Sequence, residues 1–264
     1  MSLLELRAIK KTYLLGNSIF GKRKTVEAVK SVTLTLESGV CLGIVGESGS
    51  GKSTLGKIIL GLEKPDQGEV LFQGKNLHSF KAKELKELRR NLQVVFQDCY
   101  SAVNPRLTIG EIIAEPLRNY ERLTSSEEQK QVQGLLELVG LNPEDMYRYP
   151  SQFSGGQLQR INIARAIALK PKLIILDEAV SALDALVQVQ ILNLLAQLKE
   201  EFQLSYLFIS HDLQAVNYIA DRLAVMCKGE VVEWLDDMGQ LERLEHPVSK
   251  KLLSSVLPQY PGFL

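Results

Sequence analysis

The residues with the most specific spacing are Gly46-Glu47-Ser48-Gly49-Ser50-Gly51-Lys52-Ser53, followed by Thr54. They fit the pattern GxxxxGK[ST] throughout. Glycines there let the backbone double back and aim its N–H groups at phosphate oxygens. The start of a following helix adds partial positive charge. Lys52 supplies a point charge for β- and γ-phosphates. The Ser53 hydroxyl is offered to Mg2+, which keeps several waters and needs few protein oxygens. A second group, Asp177-Glu178, ends the apolar run Leu173-Ile174-Ile175-Leu176. Ligands of an open α/β sheet sit at the carboxyl ends of its strands. Asp177 is therefore expected near Mg2+, helping to hold it through water. Glu178 is expected one step further, where a water approaching the γ-phosphate needs a proton acceptor. A third group, Ser154-Gly155-Gly156-Gln157, follows Phe153 and opens a helical pattern. Ser154 suits an N-cap, and the two glycines leave the helix start open to an anion. Either role fits these residues alone.

These groups need strands ending beside helix starts, and the chain supplies them. Cys41–Val45, Leu173–Leu176 and Tyr206–Ile209 are short continuous apolar runs, suited to strands covered on both faces of a parallel sheet. Val32–Leu36 alternates, as does Glu69–Gly74 after the turn cluster Pro65–Gly68. Leu223–Met226, Lys228-Gly229 and Val231-Val232 read as a late hairpin. Thr54–Leu60 is a helical pattern stopped by Gly61. Between Ser101 and Lys170 the character turns helical. Ser125–Leu138 is rich in Glu, Gln, Lys and Leu, and Leu158, Ile161, Ala164, Ile167 and Ala168 form an apolar stripe. The expected fold is an α/β core carrying a helical subdomain.

Composition narrows the function further. The 264 residues include 31 basic and 31 acidic side chains, for zero formal net charge. A broad basic face for nucleic acid is not expected. No apolar run reaches the roughly 18 residues that span a bilayer. Arg7 interrupts the start too early for a signal peptide. Cys41, Cys99 and Cys227 are far apart, as are His78, His211 and His246, so neither a disulfide framework nor a metal cage is expected. Lys22-Arg23-Lys24 reads as a solvated loop, with lipid headgroups or a membrane partner as the alternative.

The ordered set resembles the ATP-binding subunits of ABC transporters. Gly46–Ser53 is similar to Walker A, Leu173–Asp177 to Walker B, Glu178 to the catalytic glutamate, and Ser154–Gln157 to the signature, with Phe153 where Leu is commoner. Gln97 resembles the Q-loop glutamine, Ser181–Asp184 the D-loop, His211 the H-loop switch, and Tyr13 the aromatic that stacks on adenine. The resemblance implies a P-loop NTPase (RecA-like) α/β core with an N-terminal antiparallel β-subdomain and an inserted α-helical subdomain. It implies one domain over 1–264: core at 1–97 and 171–245, helical subdomain at 98–170, C-terminal tail at 246–264. It assigns ATP to Tyr13 and Gly46–Thr54, catalysis to Glu178, His211 and Gln97, and Mg2+ to Ser53, Gln97 and Asp177. Ser154–Gln157 would meet ATP held by a second, homologous ATPase subunit. Two membrane-spanning permeases and an extracytoplasmic substrate-binding protein complete the implied assembly, on the cytoplasmic face of the inner membrane, with no nucleic acid.

A finer resemblance, carried by Asp98–Arg106, Asp177–Ser181 and His246-Pro247 with its following leucines, points to importers of nickel, dipeptides and oligopeptides. Among these the stretch Asp177–Ser181 is most similar to the nickel-importing members. The expectation is thus import of nickel or another transition metal. Dipeptide or oligopeptide import is the alternative, and a soluble non-transport ATPase a more distant one. Only Cys227 lies near the C-terminus, so no iron–sulfur cluster is expected.

Overall fold

The computed structural model describes residues 2–15 and 24–255. Lys22, Arg23 and the tail past Ser255 lie outside the described residues. The strand β1 (Ser2–Leu15) pairs antiparallel with β2 (Lys24–Glu37), and β3 (Cys41–Val45) leads through the glycine-rich loop into α1 (Lys52–Ile59). Next come β4 (Gln67–Phe72), β5 (Lys75–Asn76), α2 (Ala82–Arg90) and β6 (Leu92–Phe96). Three helices follow: α3 (Ile109–Tyr120), α4 (Ser125–Leu138) and α5 (Gly155–Ile167). The chain then runs β7 (Leu173–Asp177), α6 (Ala185–Phe202), β8 (Ser205–Ser210), α7 (Leu213–Ile219), β9 (Arg222–Cys227), β10 (Glu230–Leu235) and α8 (Pro247–Ser255).

Two sheets result. One has four strands in the order β2-β1-β4-β5, and the other six in the order β10-β9-β3-β8-β7-β6. In the larger sheet β9, β3, β8, β7 and β6 are parallel neighbours, and β10 returns antiparallel as the expected hairpin. This is the P-loop NTPase α/β fold. The antiparallel strand expected at Glu69–Gly74 ends earlier, at Phe72. Gln73 (φ +52°) and Gly74 (φ +75°) are both left-handed, the geometry of a tight hairpin turn into β5.

The apolar runs of the parallel strands serve two cores because successive side chains point to opposite faces. Leu42, Ile44, Leu173, Ile175, Leu207 and Ile209 pack with α1 and the antiparallel sheet. Ile174, Leu176, Tyr206 and Phe208 pack with α3, α5, α6 and α7. Tyr206 is fully buried, and its hydroxyl donates to the Leu195 carbonyl of α6 at 3.0 Å. Such a bond typically contributes about 0.5–1.5 kcal/mol net. Tyr206→Phe is expected to lower the melting temperature by about 1–6 °C in a chain of this size. A thermal melt with no change would place that hydroxyl's stabilisation at zero.

Candidate nucleotide site

Strand register decides where the chemistry falls. Val45 pairs with Ser210, Asp177 with Ile209, and Phe96 with Asp177. Four parallel strands therefore end along one edge. The next residues on those strands are Gly46, His211, Glu178 and Gln97. Tyr13, Ser48 to Thr54, Gln97, Glu178 and His211 line a single open cavity of about 710 Å³, with Val26 and Ala28 completing the wall beside Tyr13. That volume is in the range of small-molecule sites. Val26 and Ala28 were not legible beforehand. They reach the cavity only because β2 crosses beside the loop, where the Ala28 carbonyl would lie 2.2 Å from a Cβ on Gly51.

The loop is arranged around cationic and N–H donors. Gly51, at φ +105°, is the N-cap of α1 and gives no side-chain cap. By contrast α3 to α7 are each capped, by Thr108, Thr124, Ser154, Asp184 and Asp212. The first N–H groups of α1 are thus unsatisfied by any side chain, the arrangement that receives an anion. Lys52 is 6% exposed, and its ammonium donates to the carbonyls of Gly46 (2.7 Å) and Glu47 (3.0 Å). Burial pushes its pKa below the ordinary lysine value, against the opposing charges of Glu178 and Asp177. The Glu47 carboxylate turns away from the cavity to meet Lys251 of α8 at 2.5 Å.

The carboxylates sit opposite. Asp177 Oδ1 accepts from the Ser53 hydroxyl at 3.4 Å. Burial, then the charge of Glu178, pushes the Asp177 carboxyl up, while Ser53 and Lys52 act against the shift. Glu178 Oε2 lies 2.8 Å from Nδ1 of His211. Ser53, Asp177 and the Gln97 amide offer only oxygen donors on this wall besides an amide nitrogen, a set that fits a hard divalent ion such as Mg2+. Tyr13 stands at the far wall, on β1, and its hydroxyl donates to Glu63.

Ser154–Gln157 is not among the residues lining this cavity. Ser154 caps α5 with a reciprocal bond from its own N–H to the Gln157 side chain at 3.0 Å. The capping role open in the sequence is therefore filled within this chain.

Residues 29–181 match the family described as ABC transporter. The chain belongs to that family. The oligopeptide transport ATP-binding protein AppF of Bacillus subtilis (strain 168) is 46% identical over 257 residues, covering 97% of this chain and 78% of that one. The OppF protein of Salmonella typhimurium, named for the same role, is 50% identical over 238 residues, covering 88% and 70%. The glutathione import ATP-binding protein GsiA of Pectobacterium atrosepticum is 47% identical over 233 residues, and there the match spans 88% of this chain but 37% of the relative. Among solved structures, the ATP-binding cassette MJ0796, in a dimeric post-hydrolysis state bound to ADP and Pi, superposes with a TM-score of 0.77 at 31% identity, covering 88% of this chain and 97% of that one. An ABC ATP-binding protein is thus the shared description.

Close packing at the signature-like helix yields a test. A Cβ on Gly156 would lie 2.4 Å from Cγ1 of Val187 on α6. Overpacking of this kind typically costs about 1–3 kcal/mol. Gly156→Ala should lower the melting temperature by about 2–12 °C. Measured in a Val187→Ala background, that loss should shrink by at least about half, because the contact has gone. An equal loss in both backgrounds would show that Val187 is not what excludes the methyl group.

Proposed function

We propose that this chain is the ATP-hydrolysing subunit of an ABC importer whose cargo is a dipeptide or oligopeptide. The observation that supports hydrolysis best is the convergence of Lys52, Ser53, Gln97, Glu178 and His211 on one cavity. The peptide reading rests on relatives named for oligopeptide and glutathione import, glutathione being itself a small peptide. They favour the peptide alternative over the nickel expectation, which leaned on the short stretch Asp177–Ser181 alone.

In this reading Tyr13 stacks on the adenine, and the N–H groups of Gly46 to Thr54 surround the phosphates with Lys52 on the β- and γ-phosphates. Ser53, Asp177 and Gln97 would hold Mg2+, which when bound offsets charge on the triphosphate. Glu178 accepts a proton from the water that attacks the γ-phosphorus, and the bond from that phosphorus to the β–γ bridging oxygen breaks, giving ADP and phosphate. His211 steadies the Glu178 carboxylate through Nδ1, beside the γ-phosphate. Ser154–Gln157, outside this chain's own cavity, would close on ATP held by a second, homologous ATPase subunit. ATP then joins the two subunits, and hydrolysis lets them part. Two permeases would receive this motion at the inner membrane's cytoplasmic face, with an extracytoplasmic binding protein delivering the peptide. No helix among the described residues is long and apolar enough to cross the membrane itself.

The test is uptake in cells carrying the assembled transporter, with labelled oligopeptide and 63Ni2+ offered separately. Glu178→Gln should cut ATP hydrolysis by at least about a hundredfold. It should abolish peptide uptake while leaving nickel uptake at its background level. Nickel uptake that falls with the variant while peptide uptake persists would reverse the cargo assignment. Wild-type hydrolysis would remove Glu178 from the reaction.

A further inference from the structure

The polar side chains buried along α5 hold two loops at once. Gln159 is 1% exposed, and its Nε2 donates to the Ala179 carbonyl at 2.5 Å. Its Oε1 is buried and has no partner among the described residues. One turn on, Asn162 is 6% exposed and donates from Nδ2 to the Cys99 carbonyl at 3.1 Å. Ala179 directly follows Glu178, and Cys99 lies two residues past Gln97.

A buried acceptor without a partner is costly. An apolar side chain of the same volume would fill the space beside Ala179 without it. What the Gln159 amide adds is its donor. The receiving turn needs support, because Glu178 is a non-glycine residue at φ +53°. Such a conformation persists only where the surroundings hold it. Three other bonds brace it: Glu178 N–H to the Ile209 carbonyl at 2.9 Å, and Ser181 N–H and Oγ to the Glu178 carbonyl at 3.2 and 2.9 Å. Gln159 is the brace that comes from α5, the helix whose first turn is Ser154–Gln157.

We propose that Gln159 and Asn162 are positioning residues that fasten the loops bearing Glu178 and Gln97 to the signature-like helix, so that the placement of α5 sets the placement of the hydrolytic groups. The inference rests on the reading of Glu178 given above. It makes α5 the part through which contact at Ser154–Gln157 with one nucleotide reaches the carboxylate acting on the other.

The experiment uses the full chain in membranes carrying the assembled transporter. Gln159→Met keeps the volume and removes the donor. Misplacing a reacting group by about 1 Å can cost about a hundredfold, so kcat should fall at least about tenfold while KM for ATP stays within about twofold. The melting temperature should change little, since one orphaned carbonyl replaces another orphaned oxygen. In a Glu178→Gln background, single-turnover hydrolysis should fall by no more than about twofold further, because the two residues act through one group. Asn162→Leu, acting on the Gln97 loop, should show the same split between kcat and KM. Unimpaired kcat in Gln159→Met, or an equal loss in the Glu178→Gln background, overturns the inference. So does a joint collapse of kcat, ATP binding and melting temperature, the mark of a packing role alone. An inactive Glu178→Gln beside an unimpaired Gln159→Met leaves the hydrolytic reading standing and removes this one. Wild-type hydrolysis by Glu178→Gln removes both.

Discussion

The common edge at which β3, β8, β7 and β6 stop is the constraint on which the site depends. Their register pairs Val45 with Ser210 and, one residue earlier on β8, Ile209 with Asp177, which pairs in turn with Phe96. A strand shifted by one residue would turn every side chain to the other face. It would also carry its loop along the strand axis by about 3.3 Å. Either shift would move Glu178 or His211 out of the 2.8 Å contact they make. The register of the three inner strands is strongly specified because both faces of β3, β7 and β8 are buried, with neighbouring residues committed to different cores. The packing energy of the sheet and the placement of the chemistry are therefore the same fact seen at two levels.

Charge and helix geometry complete the arrangement. The start of α1 has no side-chain cap, while the helices α3 to α7 fill theirs. The one buried lysine among the described residues, Lys52, faces two carboxylates, and burial, then the charge of Glu178, raises the Asp177 pKa. A site so built gains from a ligand that brings phosphate oxygens to the lysine and N–H groups and positive charge to the carboxylates. ATP would offset that imbalance, and the wall formed by Tyr13, Val26 and Ala28 offers such a ligand an apolar end.

Much of this was legible in the residues. Leu173–Leu176 reads as a buried strand because four apolar residues stand between polar ones, and Ser125–Leu138 coincides with α4 because Thr124 and Glu127 form a capping box at its start. The helix α6 was less visible: Ile191, Leu192, Leu194, Leu195 and Leu198 form its buried face, but the exposed Leu186 and Val189 put apolar residues on the other side as well. The helix α2 has only Leu85 and Leu88 as large apolar residues, too few to show a stripe, and Leu88 packs against the core. Val26, Ala28 and Gln159 were illegible for a different reason. Their roles come from contacts between segments distant in sequence, which no local spacing encodes. The nickel expectation rested on the five residues Asp177–Ser181, whereas likeness to a relative named for oligopeptide transport extends over 97% of the chain and favours the peptide alternative.

The central claim is that the cavity at the strand edge holds the triphosphate, with Lys52 as its principal cation. The most direct measurement is calorimetric titration of the full chain and of Lys52→Ala with ATP, each checked by thermal melting. Hydrogen bonds to charged groups typically contribute about 1.5–3 kcal/mol, so the variant should bind at least about tenfold more weakly. Its melting temperature without nucleotide should stay close to that of the parent chain. Equal affinity in the two proteins, with both folded, would contradict the account.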